Sequence, residues 1–243
     1  MVSGTARLSI ICSMREQIGR YKLLDSIGRG RLGELFRARD TTYGRTVALR
    51  VVDKALAGSK PTRARLEADA QAAMAISHPC IAMIYEVGED AGDLFVAMEY
   101  VPGDTLKRHT NERFLDPRET LAIGVAIADG LAELHAENVV HGQITASSIV
   151  VTPKEKAKLL DVGLTGWKTP AAKSPDPRED VRALAAVLAP VMEAGSQLPE
   201  LAEVLQRAQN LKHEQTIDSA AALVAELMGL EAILHVRSGD KEL

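Results

Sequence analysis

From Tyr21 to Asp53 apolar and polar residues alternate, interrupted by glycines and turn residues, which is the period of antiparallel strands. Residues 61–76 switch to helical spacing, with Leu66, Ala70, Ala73 and Ile76 on one side. Strand character resumes over 81–87 and 94–101, and Glu89-Asp90-Ala91-Gly92-Asp93 reads as the turn between them. After Pro102-Gly103 the pattern becomes helical: 117–136, 178–194, 198–211 and 217–235 carry Ala, Leu and Ile at helical intervals. The chain therefore predicts an α+β fold, with a small antiparallel lobe containing one helix over 18–101 and a larger, mainly helical lobe over 102–243. Residues 1–17 are set apart as an extension, and 168–177, rich in Pro and Lys, is the one obvious loop.

Composition narrows the classes of function. A chain of 243 residues, 46% hydrophobic, can bury a sizeable core. Its formal charge of -4 supplies no basic excess to replace phosphate counterions, which argues against nucleic-acid partners. Cys12 and Cys80 are too few for a disulfide framework, and a reducing cytoplasm is the expected location. No apolar run reaches the roughly 20 residues of a membrane span. Leu8–Cys12 is too short for a signal-peptide core, and Met14, just before Ile18-Gly19-Arg20-Tyr21, is a second candidate start. Asp240-Lys241-Glu242-Leu243 has the letters of a retention tail in the wrong order.

Gly28-Arg29-Gly30-Arg31-Leu32-Gly33 is a G-x-G-x-x-G, letters that also fit an ordinary turn or a dinucleotide loop. A dinucleotide loop opens a helix, whereas Leu35-Phe36-Arg37-Ala38-Arg39 before Thr41-Thr42-Tyr43-Gly44 reads as a strand and hairpin turn. That context favours a glycine flap whose backbone N–H groups meet phosphate oxygens.

His141-Gly142-Gln143-Ile144-Thr145-Ala146-Ser147-Ser148, followed by Asp161-Val162-Gly163, resembles the catalytic loop H-R-D-x-x-x-x-N and the D-F-G of protein kinases. With the glycine run, with Val47-Ala48-Leu49-Arg50 in place of V-A-I-K, and with Leu94–Val101 as the hinge strand, residues 18–235 are similar to the Hanks-type serine/threonine protein kinases, particularly their bacterial branch. The resemblance implies a two-lobed protein-kinase-like fold and ATP as the nucleotide. Gly28, Gly30 and Gly33 would cover its phosphates, Leu35, Ala48 and Val150 its ring faces, Met98 the back of the pocket, and the backbone of Glu99 and Val101 the base edge. Ordinary strand core accounts equally simply for Leu35, Ala48 and Val150. Arg50 takes the place of the phosphate-binding Lys, with Asp69 in register to pair with it and Glu67 in poorer register; an exposed strand charge and a solvated helix charge are the plain alternatives. Asp161 is the implied metal ligand, holding Mg2+ weakly. His141 and Asp180 are implied to be structural, the carboxylate holding the loop backbone.

The departures fall where catalysis would lie. Gln143 stands for the base Asp, Thr145 for the following Lys and Ser148 for the metal-binding Asn, so with Arg50 no catalytic position is intact. Gly142 replaces the Arg that reads a loop phosphate, the nineteen-position step from Asp161 to Asp180 contains no A-P-E, and Gln215 stands where that motif's Arg partner belongs. General-base catalysis is typically worth about a hundred- to ten-thousand-fold, and an amide has no basic site to supply it. The leading expectation is a pseudokinase, a signalling scaffold or nucleotide-responsive binding module with protein partners. Two alternatives stay open: a weakly active, atypical ATP-dependent serine/threonine kinase, and an interaction domain that binds no nucleotide, favoured if Arg50 fills the phosphate space. Trp167 is placed either in the vacated peptide groove or against the helical lobe, and 107–113 reads as a solvated loop.

Overall fold

The structure, a computed structural model, describes the backbone of residues 15–30, 32–57, 60–154, 156–164, 176–191, 198–210 and 212–239. The expectations for residues 1–14, for Trp167, for 168–175 and for the tail 240–243 lie outside these. Two compact units make up the chain, one of residues 1–67 and 84–100, the other of 68–83 and 101–243. Residues 68–83 pack with the second unit.

In the first unit β1 (Gln17–Ile18), β2 (Tyr21–Gly30), β3 (Gly33–Asp40), β4 (Thr46–Val52), β5 (Ile84–Asp90) and β6 (Asp93–Glu99) form one antiparallel sheet, ordered β1-β2-β3-β4-β6-β5. Because side chains alternate along a strand, register decides what shares a face. Phe36 stands opposite Leu49 and Leu49 opposite Ala97, and these join Ile18, Tyr21, Ala38, Val47 and Phe95 in an apolar core. Each large member stabilises the fold by about 1.5–3 kcal/mol through burial. The Tyr21 ring meets Phe95 edge-on at 5.6 Å, and its hydroxyl donates to Glu86 at 2.5 Å, burial and that carboxylate raising its pKa. The β5–β6 turn is shorter than expected. Ala91 and Gly92 both have positive φ, +49° and +83°, the geometry of a two-residue turn that matches strand twist, so Glu89 and Asp90 remain in the strand. A one-turn α1 (Lys54–Ala57) precedes α2 (Lys60–Met74), giving two helices where one was expected. Leu66, Ala70, Ala73 and Ile76 are buried, as their spacing requires.

In the second unit β7 (Asp104–Thr105), β8 (Ile149–Val151) and β9 (Ala157–Leu159) make a three-stranded sheet. Strands of two or three residues are too short to declare a period, which is why the sequence reading passed over them. The stretch read as a solvated loop is largely α3 (Leu106–Glu112): Thr105 accepts the Arg108 N–H and Leu106 is fully buried. α4 (Pro117–Ala136) begins with a capping box, in which Asp116 accepts the N–H groups of Arg118 and Glu119 while Glu119 accepts that of Asp116. Its apolar face buries Leu121, Ile127, Leu131 and Leu134. α5 (Pro177–Leu188) gives way to a 3-10 turn at Ala189–Val191, earlier than its apolar spacing implied, because Pro190 has no N–H to continue the ladder. α6 (Pro199–Gln209) and α7 (Ala220–Gly239) follow. No described helix is long and apolar enough to cross a membrane.

Candidate functional site

The first unit carries the glycine turn and the residues beside it. β2 and β3 close as a hairpin with Gly30 opposite Gly33. Gly33 has φ +136°, and a Cβ there would stand 1.9 Å from the Val51 carbonyl oxygen, so only glycine fits. The tip is fastened to the end of β4: Asp53 donates its N–H to Leu32 O at 2.9 Å, and its carboxylate meets Arg29 at 2.7 Å. Between Ser26 and Gly28 the register slips and Ile27 bulges out, 41% exposed. The sequence reading passed over this residue, although an apolar side chain directly before the first glycine was a usable signal.

Leu35 pairs with Arg50, Arg50 with Val96, and Ala48 with Met98. Alternation therefore brings Leu35, Ala48, Arg50 and Met98 to one face of the sheet, opposite the apolar core. Arg50 is no exposed strand charge, being only 6% exposed. Its Nη1 lies 3.0 Å, and its Cζ 4.0 Å, from where a Cβ on Gly30 would stand. A Cβ at position 30 would crowd the guanidinium, which would have to give by a few tenths of an ångström.

The second unit holds the loop from His141 to Ser148, together with Val101, Asp69 and Val150, which lies buried in β8. Arg50 and Asp69 thus fall in different units, and their pairing rests on the sequence. Asp180, at the start of α5, is 1% exposed, and its carboxylate accepts the N–H of His141 and of Gly142, each at 2.8 Å. His135, from the last turn of α4, places Nε2 3.0 Å from the same carboxylate. The sequence reading missed His135, since one imidazole on a helix gives no signal of its partner. His141 is fully buried; its Nδ1 accepts the Gln143 N–H at 3.2 Å, which leaves Nε2 to donate to Leu160 O at 2.8 Å. Both nitrogens are spent on backbone, so His141 organises the loop.

Gln143 is half-buried at the position of the base. Ser148 is buried and turned onto its own loop, its Oγ accepting the Thr145 N–H at 2.9 Å and donating to Thr145 O at 2.8 Å. A hydroxyl has one proton and two lone pairs, so its donor and half its accepting capacity are used. Asp161 has φ +60°, an uncommon conformation that Asp tolerates better than most residues. The following turn packs closely on α2: a Cβ on Gly163 would stand 2.6 Å from Asp69 O and from Ala73 Cβ. Among the described residues no group of three His, Cys, Asp or Glu side chains is placed to hold a metal ion. Asp161 with a hydroxyl already engaged is a poor donor set for Mg2+, and no chemical step follows through one.

A cavity of about 630 Å³ in the same unit is lined by Gly103, Leu115, Thr152 and Leu234 among others, and by no residue of the His141–Ser148 loop. Arg113 and Glu119 in its wall form an ion pair with each other.

Residues 21–179 match the protein kinase domain family. The chain is 34% identical over 152 residues to the probable serine/threonine-protein kinase SCO3848 of Streptomyces coelicolor, covering 60% of this chain and 22% of that protein. It is 34% identical over 149 residues to the serine/threonine-protein kinase PknD of Mycobacterium tuberculosis, covering 61% and 22%. It is 33% identical over 147 residues to PrkC of Bacillus subtilis, covering 60% and 23%. The matched region spans less than a quarter of these relatives. A crystal structure of the M. tuberculosis PknI kinase domain superposes with a TM-score of 0.74 at 23% identity, covering 87% of this chain and 95% of that one, a likeness of fold.

Proposed function

The chain belongs to the protein kinase family, with relatives among the bacterial Hanks-type serine/threonine kinases, and we propose that it is a pseudokinase: a scaffold or nucleotide-responsive module that binds protein partners in the cytoplasm. One observation carries this reading. The loop backbone is held in full by Asp180 and His141, while the side chains that would do the chemistry are an amide at Gln143 and a hydroxyl at Ser148 folded back onto Thr145. Phosphoryl transfer depends on positioning and on charge stabilisation, and kinase rates of ~1–100 per second need both. Without a basic group at position 143 the acceptor hydroxyl keeps its proton.

A second reading, an interaction domain that takes no nucleotide, is supported by Arg50, whose guanidinium stands against Gly30 where phosphate would be covered. The weakly active kinase has less support, since Asp161 is the one carboxylate of the motif left to act. Incubation of the purified chain with radiolabelled ATP, Mg2+ and a general protein substrate, beside Asp161→Ala, tests the proposal. No incorporation that depends on Asp161 is expected; labelling of serine or threonine abolished by that substitution overturns it. Cross-linking in the native cell should recover a protein partner.

A further inference from the structure

We infer that the cavity of about 630 Å³ in the second unit binds a small organic cation, an ammonium group carried on an apolar body, with Glu231 as the group that meets its charge. None of its lining residues belongs to the His141–Ser148 loop, so this goes beyond the pseudokinase reading and does not depend on it.

The volume lies within the roughly 300–1,000 Å³ of ligand sites, and β7, α3, α4, β8 and α7 all contribute to its walls. Those walls are held by the protein's own contacts. Gly103 lies so close to β8 that a Cβ on it would stand 2.2 Å from Val151 O, Leu115 donates its N–H to Val191 O at 2.9 Å, and Asp116 and Glu119 are fixed by the cap of α4. A ligand therefore has little protein to order on entering. The apolar part of the wall comes from Leu115, Leu121 and Ile123, each at most 4% exposed, and from Leu234 on α7. These side chains offer no hydrogen bond, so the body of the ligand has to be apolar as well.

The sign of the ligand's charge follows from which charged groups in the wall are already matched. Asp104 meets Arg108 at 3.3 Å. Glu119 is held by Arg113, which also donates to Phe114 O and to His109 Nε2, each at 3.2 Å. An anion would find that guanidinium spent. Asp116 uses Oδ1 on the N–H groups of Arg118 and Glu119. What remains is Arg118 against Asp116 and Glu231, an excess of one negative charge. Glu231, exposed on α7, makes no ion pair and no side-chain hydrogen bond among the described residues. It stands three positions before Leu234, on the same side of the helix, so a carboxylate without a partner and an apolar surface are neighbours. A metal ion is the wrong cation here, since no three His, Cys, Asp or Glu side chains among the described residues are placed to hold one.

Isothermal titration calorimetry of the full chain at pH 7 with n-octylamine, 1-octanol and octanoate, each below its micellar concentration, tests this. The three share an apolar chain and differ in the charge of the head. Octylamine is expected to bind about fivefold more tightly than 1-octanol, the worth of one solvent-screened ion pair, and about tenfold or more above octanoate. Glu231→Gln, a change on the helix surface, should bring octylamine to the affinity of 1-octanol and leave 1-octanol within about twofold. Ala122→Trp, at an exposed position of the wall, should fill the cavity and abolish binding of all three. If its melting temperature shows that Ala122→Trp does not fold, methyl NMR of the wild type takes its place, and octylamine should shift Leu115, Leu121 and Leu234. Equal affinity for the amine and the carboxylate overturns the inference, as does a preference for the amine that survives Glu231→Gln. Octylamine binding undiminished by Ala122→Trp, methyl shifts confined to other residues, or no octylamine binding at all overturns it too.

Discussion

The loop at His141 and the turn at Gly30 have each exchanged a side chain that kinases use, and they have responded in opposite ways. In the loop Ser148 is smaller than the asparagine of the family, and the backbone keeps its form because other residues hold it: Asp180 takes the N–H groups of His141 and Gly142, and the serine hydroxyl closes on Thr145. In the turn Arg50 is larger than lysine, and it lies beside Gly30, which has no side chain to keep it away. A loop supported from outside tolerates subtraction without collapse, whereas at the turn the added bulk is taken up beside a glycine.

Repair of both regions should give the largest effect. Gln143→Asp with Ser148→Asn restores the base and the metal-binding amide but leaves Arg50 beside Gly30, and little phosphoryl transfer is expected from it. With Arg50→Lys added, transfer should exceed that of the wild type by about a hundred- to ten-thousand-fold, the usual worth of a positioned base, with contributions that do not add separately. Radiolabel incorporation is the measurement. Activity in the loop-only variant equal to that of the triple variant would break the comparison, because it would mean that Arg50 is as good as lysine at that position.

Removal of the loop's outside support comes next. Asp180→Ala leaves the N–H groups of His141 and Gly142 without their acceptor in a buried place, at about 1–3 kcal/mol each, so a loss near 3–4 kcal/mol is expected in urea denaturation. A loss within about 1 kcal/mol would show that this carboxylate does not hold the loop. Ser148→Ala removes only the local closure and should cost about 1 kcal/mol.

How much of this could be read in advance depended on length and on partners. The strands from Tyr21 to Val52 and the helix Pro117–Ala136 were legible because their periods run over many residues, and the Asp116–Glu119 box marks the helix start. The strands at Asp104, Ile149 and Ala157 were not, being too short to repeat. Asp180 was found through its place in a family pattern, although it lies 39 positions from His141. His135 contacts the same carboxylate and stayed hidden because nothing local in the sequence points to its partner. The burial of Arg50 was likewise out of reach, since it follows from the pairing of β4 with two neighbouring strands and from the missing side chain at Gly30, not from the residue itself.

The two ends of α4 allow a smaller, sharper test of the idea that the loop is a supported structure. The C-terminal end gives His135 to the loop's carboxylate; the N-terminal end is held by a charge pair with no part in catalysis. Both guanidinium nitrogens of Arg113 reach Glu119, with Nη1 2.7 Å from Oε2, and hold its pKa at about 2 against the opposing effect of burial, helped by the Asp116 N–H at 3.0 Å. A carboxylate whose folded pKa lies below its ordinary value of about 4.3 stabilises the fold above that value and loses this contribution as pH falls toward 2. The pair is partly exposed, so solvent screening reduces the effect to about 1 kcal/mol. Between pH 5 and 2 the urea midpoint of the wild type should therefore fall more steeply than that of Glu119→Gln, which has no proton to gain there. The gap between the two curves should close as the pH approaches 2, whereas Asp180→Ala should remain less stable than the wild type at pH 7, where the Glu119 contribution is fully present. Parallel curves for the wild type and Glu119→Gln would mean that the helix start is held by its cap alone, and that the ion pair beside it contributes nothing measurable.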